Sequence, residues 1–292
     1  MTTRANETEK PAAPVLSRIL AQLQRGDIQI PSTPSVVTEL RTLVGKSDSR
    51  IEAIVALLER DQALVARVLQ LGRSAQFSRS AKQSDLSTII NRVGFRQLNT
   101  VVETVWTNDC FQIADLRYRP YAARLSRHSL SRALAMRALA ERQRMDAFSA
   151  YLTGLFADVG AAFLLWAIVD KSRGNAPEPE QAMAFAREHH EAIGAAVLKR
   201  WNHSDLVVGL VRRHHAHNQP ASAAAYGNLL VIAAQMAREL TQEEDLTAAE
   251  PWPPADLLAR CEASAGLDEE LRIQLVAKLH EEYASALDAL LG

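Results

Sequence analysis

Apolar positions recur at three- and four-residue spacing along almost the whole chain. Val36, Leu40, Leu43 and Val44 share one helical face, Ile54, Val55 and Leu58 a second, and Leu64, Val65, Val68 and Leu69 a third. The punctuation between these runs is equally regular. Thr33 is placed to cap a helix with Pro34 at its first position, and Gly45 stops that helix. Ser49-Arg50-Ile51-Glu52 has the form of a capping box, Asp61 can cap the next helix, and Gly72 closes it. A stripe of Leu86, Ile89, Ile90 and Val93 is interrupted at Gly94 and resumes as Leu98, Val101, Val102 and Val105.

The later chain follows the same period. A long Ala- and Leu-rich helix is predicted from Pro120 to about Arg144, then a helix carrying Ala157-Asp158 into the apolar run Phe163-Leu164-Leu165-Trp166. Ser172 to Glu180 reads as a loop. Helix resumes to Trp201, breaks at Asn202-His203-Ser204, and restarts with Asp205 as cap. Gln219-Pro220 turns the chain. Thr241 to Ala255 is acidic and proline-bearing, a connector, and two final helices flank Gly266-Leu267-Asp268. No stretch alternates with period two and no Asn-Gly or Asp-Gly hairpin turn occurs, so the predicted class is all-α. No fixed-period repeat argues for a solenoid.

Composition narrows this picture. The chain has 292 residues, 48% of them apolar, enough for a substantial core. A net charge of −1 gives no general attraction to nucleic acid or anionic membrane. Cys110 and Cys261, far apart and outside any CxxC spacing, read as free thiols in a reducing compartment. No uncharged apolar run approaches the ~20 residues that cross a bilayer. Met1 to Ala13 is polar and charged, a disordered tail and not a secretory signal. The expectation is a cytoplasmic protein without membrane contact. No P-loop is present and no receiver, cyclase or kinase pattern flanks the helical region, which predicts a stand-alone adaptor.

The chemistry centres on Gly154-Leu155-Phe156-Ala157-Asp158-Val159-Gly160. It resembles the metal-binding signature of HD-type phosphohydrolases, Gly-Leu-Leu-His-Asp-Ile-Gly, with Ala157 where that family has a histidine. Around it lie Ile30-Pro31-Ser32-Thr33-Pro34, Asp61-Gln62-Ala63-Leu64, Leu71-Gly72-Arg73-Ser74-Ala75, Val93-Gly94, Arg127-His128-Ser129, His190-Glu191-Ala192-Ile193-Gly194, Trp201 and His214-His215. In this order, over about residues 30 to 240, they resemble the HDOD proteins, HD-related output domains of bacterial signalling. The resemblance departs at Ala157, at Arg73 where the family has Asn, and at Asn202-His203-Ser204 where a proline usually follows the Trp.

The resemblance implies an HD-like helical bundle packed against an N-terminal helical array. The expected layout is a tail over 1–13, an N-terminal helical subdomain over 14–115, a degenerate HD-like bundle over 116–240, a connector over 241–255 and a helical pair over 256–292. It also implies that His128, Asp158, His190, His214 and His215 occupy metal-site positions. An HD centre activates water on a divalent ion held by imidazole and carboxylate. Ala157 removes one ligand. The closing carboxylate also lacks a counterpart, since no Asp lies between Asp205 and Asp245, and Asn228 is the nearest polar substitute. The cluster therefore reads as a vestigial, hydrogen-bonded site with no catalytic residues and no cofactor, weak divalent metal being the alternative. His189, His203 and His217 read as solvent-facing.

Charge is unevenly spread. Arg117 to Arg144 holds eight arginines and one acid, Glu141, whereas the chain beyond Glu239 is rich in acids. Arg124, Arg127, Arg132 and Arg142 form a candidate basic surface. At ~100° per residue Arg124, Arg127 and Arg142 fall within about 60° of one another, and Arg137 and Arg144 point the other way. The competing expectation is that the acidic C-terminal region folds back on this helix. The leading function is thus a non-catalytic regulatory adaptor that binds a protein partner through the apolar cleft around Asp158 and the basic helix. The alternatives are a divergent metal-dependent HD-type phosphohydrolase acting on a nucleotide or cyclic dinucleotide, and a nucleotide- or nucleic-acid-binding module using the arginine-rich helix.

Overall fold

A computed structural model of the chain describes residues 12–46, 48–72, 86–216, 223–248 and 252–291. Among these residues there are thirteen α-helices and no strand. Five build the N-terminal array: α1 (Ala12–Gln24), α2 (Ser35–Val44), α3 (Ile51–Leu58), α4 (Gln62–Gly72) and α5 (Leu86–Cys110). The bundle that follows contains α6 (Arg119–Arg142), α7 (Ala147–Phe156), α8 (Val159–Ser172), α9 (Pro179–Arg200), α10 (Asp205–Val211) and α11 (Ala224–Thr241). The C-terminal pair is α12 (Ala255–Ser264) and α13 (Glu269–Leu291). An HD-like helical bundle is packed against an N-terminal helical array, as the resemblance implied.

Several boundaries differ locally from the sequence reading. The expected tail over 1–13 ends inside α1, and residues 1–11 lie outside the described residues. Thr33 does not cap α2; Pro34 sits at the cap, held at φ −55° by its ring, and no side chain caps the helix. Ser49 does not cap α3 either, because its hydroxyl donates to the Leu43 carbonyl and Arg50 becomes the N-cap. Asp61 does cap, accepting from the Leu64 N–H at 3.0 Å. Ser204, not Asp205, caps α10, accepting from the Val207 N–H at 3.4 Å. Gly94 takes φ +78°, a left-handed conformation that kinks α5 where the apolar stripe breaks. Arg73 to Ala75, His217 and Gln219-Pro220 fall outside the described residues.

Helices α6, α7 and α11 form the centre of the bundle, with α8 laid along α9 and α10 bridging α9 to α7. The apolar stretch from α7 into α8 is buried over 83% of its most apolar window, the signature of core helices. The N-terminal array reaches the bundle through α5 on α7 and α1 on α8 and α9. Two polar ties lock this joint. Arg41 of α2 forms a two-pronged ion pair with Glu103 of α5, whose side chain is fully buried, and donates to the Trp201 carbonyl at 2.7 Å. Trp201, at the end of α9, donates its indole N–H to the Pro31 carbonyl at 2.8 Å and packs between Trp106, Phe111 and Phe156. Helix α13 then packs on α4, α6 and α11, touching both halves. Cys110 and Cys261 are unpaired.

Candidate functional site

The Ala157-Asp158 pair lies between α7 and α8, not within one helix, so Asp158 sits at the N-cap of α8. Two glycines of the motif set this geometry by steric necessity. A Cβ on Gly154 would lie 2.7 Å from the Ala133 Cα, so this glycine brings α7 against α6. A Cβ on Gly160 would collide with the His190 carbonyl oxygen, so this glycine brings α8 against α9 beside Gly194. Close helix approach then delivers the side chains of α6, α9 and the segment after α10 to Asp158.

The five residues read from the sequence do converge. His190 Nδ1 faces the carbonyls of Ala186 and Arg187 at 3.1 and 3.0 Å, and His214 Nδ1 faces that of Val211 at 2.8 Å. Those acceptors require a proton on Nδ1 of each ring, leaving the two Nε2 atoms 3.2 Å apart. One bridging proton is needed, and it belongs on His214, whose Nε2 is also 3.4 Å from Asp158 Oδ1. Burial works against the His214 imidazolium, but the hydrogen bond and charge of Asp158 outweigh it and raise its pKa. Burial likewise opposes ionisation of Asp158, yet Arg132 and then His214 hold its pKa well below the usual range. Burial lowers His190 to about 3, helped by the charge on His214. His128 is buried, its pKa lowered by burial, and its Nε2 has no hydrogen-bond partner. His215 donates its backbone N–H to Glu191 at 3.0 Å, and its ring stands edge-on to Trp252.

Two members of this cluster were not anticipated. Arg132, assigned to a basic surface, is 2% exposed and ion-paired to Asp158, so it lies in the core of the site and not on a surface. Its second guanidinium nitrogen reaches Asp245 at 3.6 Å, and Asp245 in turn lies 3.6 Å from His215 Nε2. Asp245 therefore supplies the carboxylate thought to be missing. It comes from the connector after α11, where a search of helical positions does not look. Asn228 is no substitute: its amide donates to Ser264 at 3.0 Å, outside the cluster.

The connector runs over the cluster as a strap. Thr247 places its hydroxyl 2.9 Å from Asp158 Oδ1 and 2.7 Å from Asp245 Oδ1. Arg127 pairs with Glu243, with one contact of 2.5 Å, Arg124 donates to the Glu244 carbonyl, and Arg187 to that of Leu246 at 2.8 Å. The acidic region thus folds back on the basic helix. Of the four arginines expected to form a surface, Arg142 is exposed, whereas Arg124 and Arg127 are half-buried under the strap. The cavity beside Asp158, lined largely by apolar side chains such as Leu125, Leu155 and Val159, is small, about 50 Å³, little more than room for water. His203 is also not solvent-facing: it packs on Phe156 and lies 3.1 Å from an Arg41 nitrogen.

A family model, the HDOD domain, matches residues 30–217, more than half the chain. The chain belongs to the HDOD family. A protein of Treponema pallidum (strain Nichols), named only as uncharacterized, is 27% identical over 237 residues. That match takes in 77% of this chain and 43% of the relative, so the chain spans less than half the relative's length. Among solved structures, a protein of Shewanella amazonensis SB2B assigned as a metal-dependent phosphohydrolase superposes with a TM-score of 0.72 at 18% identity, covering 96% of this chain and 99% of its own. An HDOD domain protein of unknown function from Geobacter sulfurreducens gives 0.67 at 21%, covering 96% and 99%. A protein of Marinobacter aquaeolei VT8 assigned to signal transduction gives 0.69 at 16%, covering 98% of this chain and 68% of its own. At these identities the likeness establishes the fold.

Whether an HD-type metal fits this HDOD site is decided by its donors. Ala157 offers none. Asp158 has both oxygens engaged, one by Arg132 and the other by Thr247 and His214. Two carboxylates, Asp158 and Asp245, already share the Arg132 guanidinium, and Asp158 raises the pKa of His214 beside it. A divalent ion here would have to displace these contacts and would repel the guanidinium. The HD-type centre does not fit. What remains of a ligand set is three imidazoles: donor nitrogens of His190, His214 and His215 lie within 4.8 Å of one another.

Proposed function

We propose that this chain is a regulatory HDOD module of bacterial signal transduction that acts by binding a protein partner and not by hydrolysis. One observation supports the reading: the Arg132 guanidinium pairs with both Asp158 and Asp245, the carboxylates that a divalent ion here would need. The strap supports it, since Thr247 and Asp245 lie over the same site, and the cavity beside Asp158, about 50 Å³ among the described residues, is too small for a phosphate ester. The family and the fold likeness to a protein assigned to signal transduction point the same way.

The three-imidazole spacing favours a second reading, a divalent site that does not use Asp158. One experiment separates the two. The purified protein is incubated with Mn²⁺, Fe²⁺ or Zn²⁺, desalted and analysed for metal, beside a His190→Ala control. The expected result is no stoichiometric metal and no turnover of phosphodiesters. One ion per chain, lost in the control, would replace the regulatory reading with the metal one.

A further inference from the structure

The joint between the N-terminal array and the bundle holds a cavity of about 400 Å³, within the range of small-molecule sites. Past the Gly94 kink, α5 turns Arg96, Asn99 and Glu103 to it at helical spacing. The start of α7 supplies Phe148, and the turn between α9 and α10 supplies Asn202 and His203. A second cavity of about 520 Å³ shares Arg96, Asp146 and Phe148 with the first and adds Arg144.

Three side chains of this double cavity, those of Asn99, Arg96 and Arg144, carry a polar group without a partner among the described residues. Asn99 is 3% exposed, yet its Oδ1 meets no donor. A buried, unpaired amide oxygen is costly, and Asn99 lines the first cavity, from which a donor can arrive. Arg96 and Arg144 are exposed and form no ion pair among the described residues, whereas Arg41, Arg117, Arg127, Arg132 and Arg137 are all paired. Arg96 and Arg144 both line the second cavity, where two unpaired guanidiniums can take phosphate oxygens. The half-buried ring of Phe148 lines both cavities and offers a face on which a planar base can stack.

We propose that this double cavity binds a nucleoside monophosphate. The base lies against Phe148 with an amino or imino N–H donating to Asn99 Oδ1, and the phosphate reaches Arg96 and Arg144. The site is separate from the Asp158 cluster, so it stands or falls apart from the regulatory reading.

Calorimetric titration of the whole protein with AMP, GMP, CMP and UMP tests it, with inorganic phosphate and the parent nucleosides run beside them. Saturable binding of at least one monophosphate is expected, weakened about tenfold or more by Arg96→Ala and by Asn99→Leu. Arg142→Ala, exposed on α6 outside the cavity, serves as the folded control and leaves affinity unchanged. Thermal unfolding of each variant confirms that it is native. The proposal is overturned by absence of saturable binding for all four, or by binding that neither variant changes. It is also overturned if phosphate alone, or the nucleoside alone, binds as tightly as the monophosphate.

Discussion

A guanidinium buried between two carboxylates is held by their charge, and they by its. Arg132 at 2% exposure and Asp158 at 1% have little water to replace a lost partner. Arg132→Met should therefore destabilise the fold by about 3–5 kcal/mol, the usual consequence of leaving buried charge uncompensated. The accompanying exchange Asp158→Asn should recover part of that loss, because it removes the buried carboxylate left without its guanidinium, while Asp245 still faces the His215 ring. Urea midpoints of the two single variants and the double variant measure the coupling; additive losses would mean that the pair does not act as a unit. The position of Arg132 was open to a closer sequence reading. Leu125, His128, Arg132, Ala135 and Leu139 follow one another at three or four residues, and all five are buried. The charge of Arg132 points to a surface, while the buried stripe it belongs to carries the information about depth.

At the scale of the elements, the Gly154 to Gly160 motif is as much about helix approach as about chemistry. Gly160→Ala would drive a methyl group into the His190 carbonyl where α8 crosses α9. Backbone cannot retreat as a side-chain tip can, so the expected loss is about 3 kcal/mol or more, read as a fall in the unfolding midpoint. Gly209, with nothing within 4 Å of its Cβ position, is the control: alanine there should leave stability unchanged or raise it, since Ala is the better helix former. Much at this scale was legible in the sequence. The kink at Gly94, the cap at Asp61 and the terminal pair around Gly266 follow from period and punctuation alone. The strap was not legible. Glu243-Glu244-Asp245 is a polar run of the kind that usually lies in solvent, and its partners, Arg124, Arg127 and Arg132, precede it by more than a hundred residues. Local pattern fixes which residues are helical; it does not report which distant loop covers them. The same limit hid Asp245, sought on a helix and found in the connector.

At the scale of the whole molecule, the array and the bundle meet across Arg41, Glu103, Trp201 and His203, and this joint should make stability depend on acid. Burial, and then the charge of Arg41, lowers His203 to about 3, against about 6.5 in an unfolded chain. Between those values the unfolded chain binds a proton that the folded one refuses, so stability falls as pH drops, by up to about 1.4 kcal/mol per pH unit. His190, also lowered to about 3, adds the same sign. His214 is raised, so its contribution is complete below about pH 6.5 and fades as pH rises through its folded value. Glu103 is raised by burial despite Arg41, so its burial penalty is relieved as acid protonates it. These terms overlap in the wild-type curve, and a single substitution separates them. His203→Phe keeps an aromatic ring against Phe156 and removes the His203 titration, together with its contact to Arg41, while Glu103 stays in place. Urea unfolding from neutral pH to about pH 4 should then show the variant losing less stability than the wild type, by close to one proton's worth of slope. Parallel curves would mean that His203 contributes nothing to the acid sensitivity, which would then rest with Glu103 at the joint and with the Asp158 cluster.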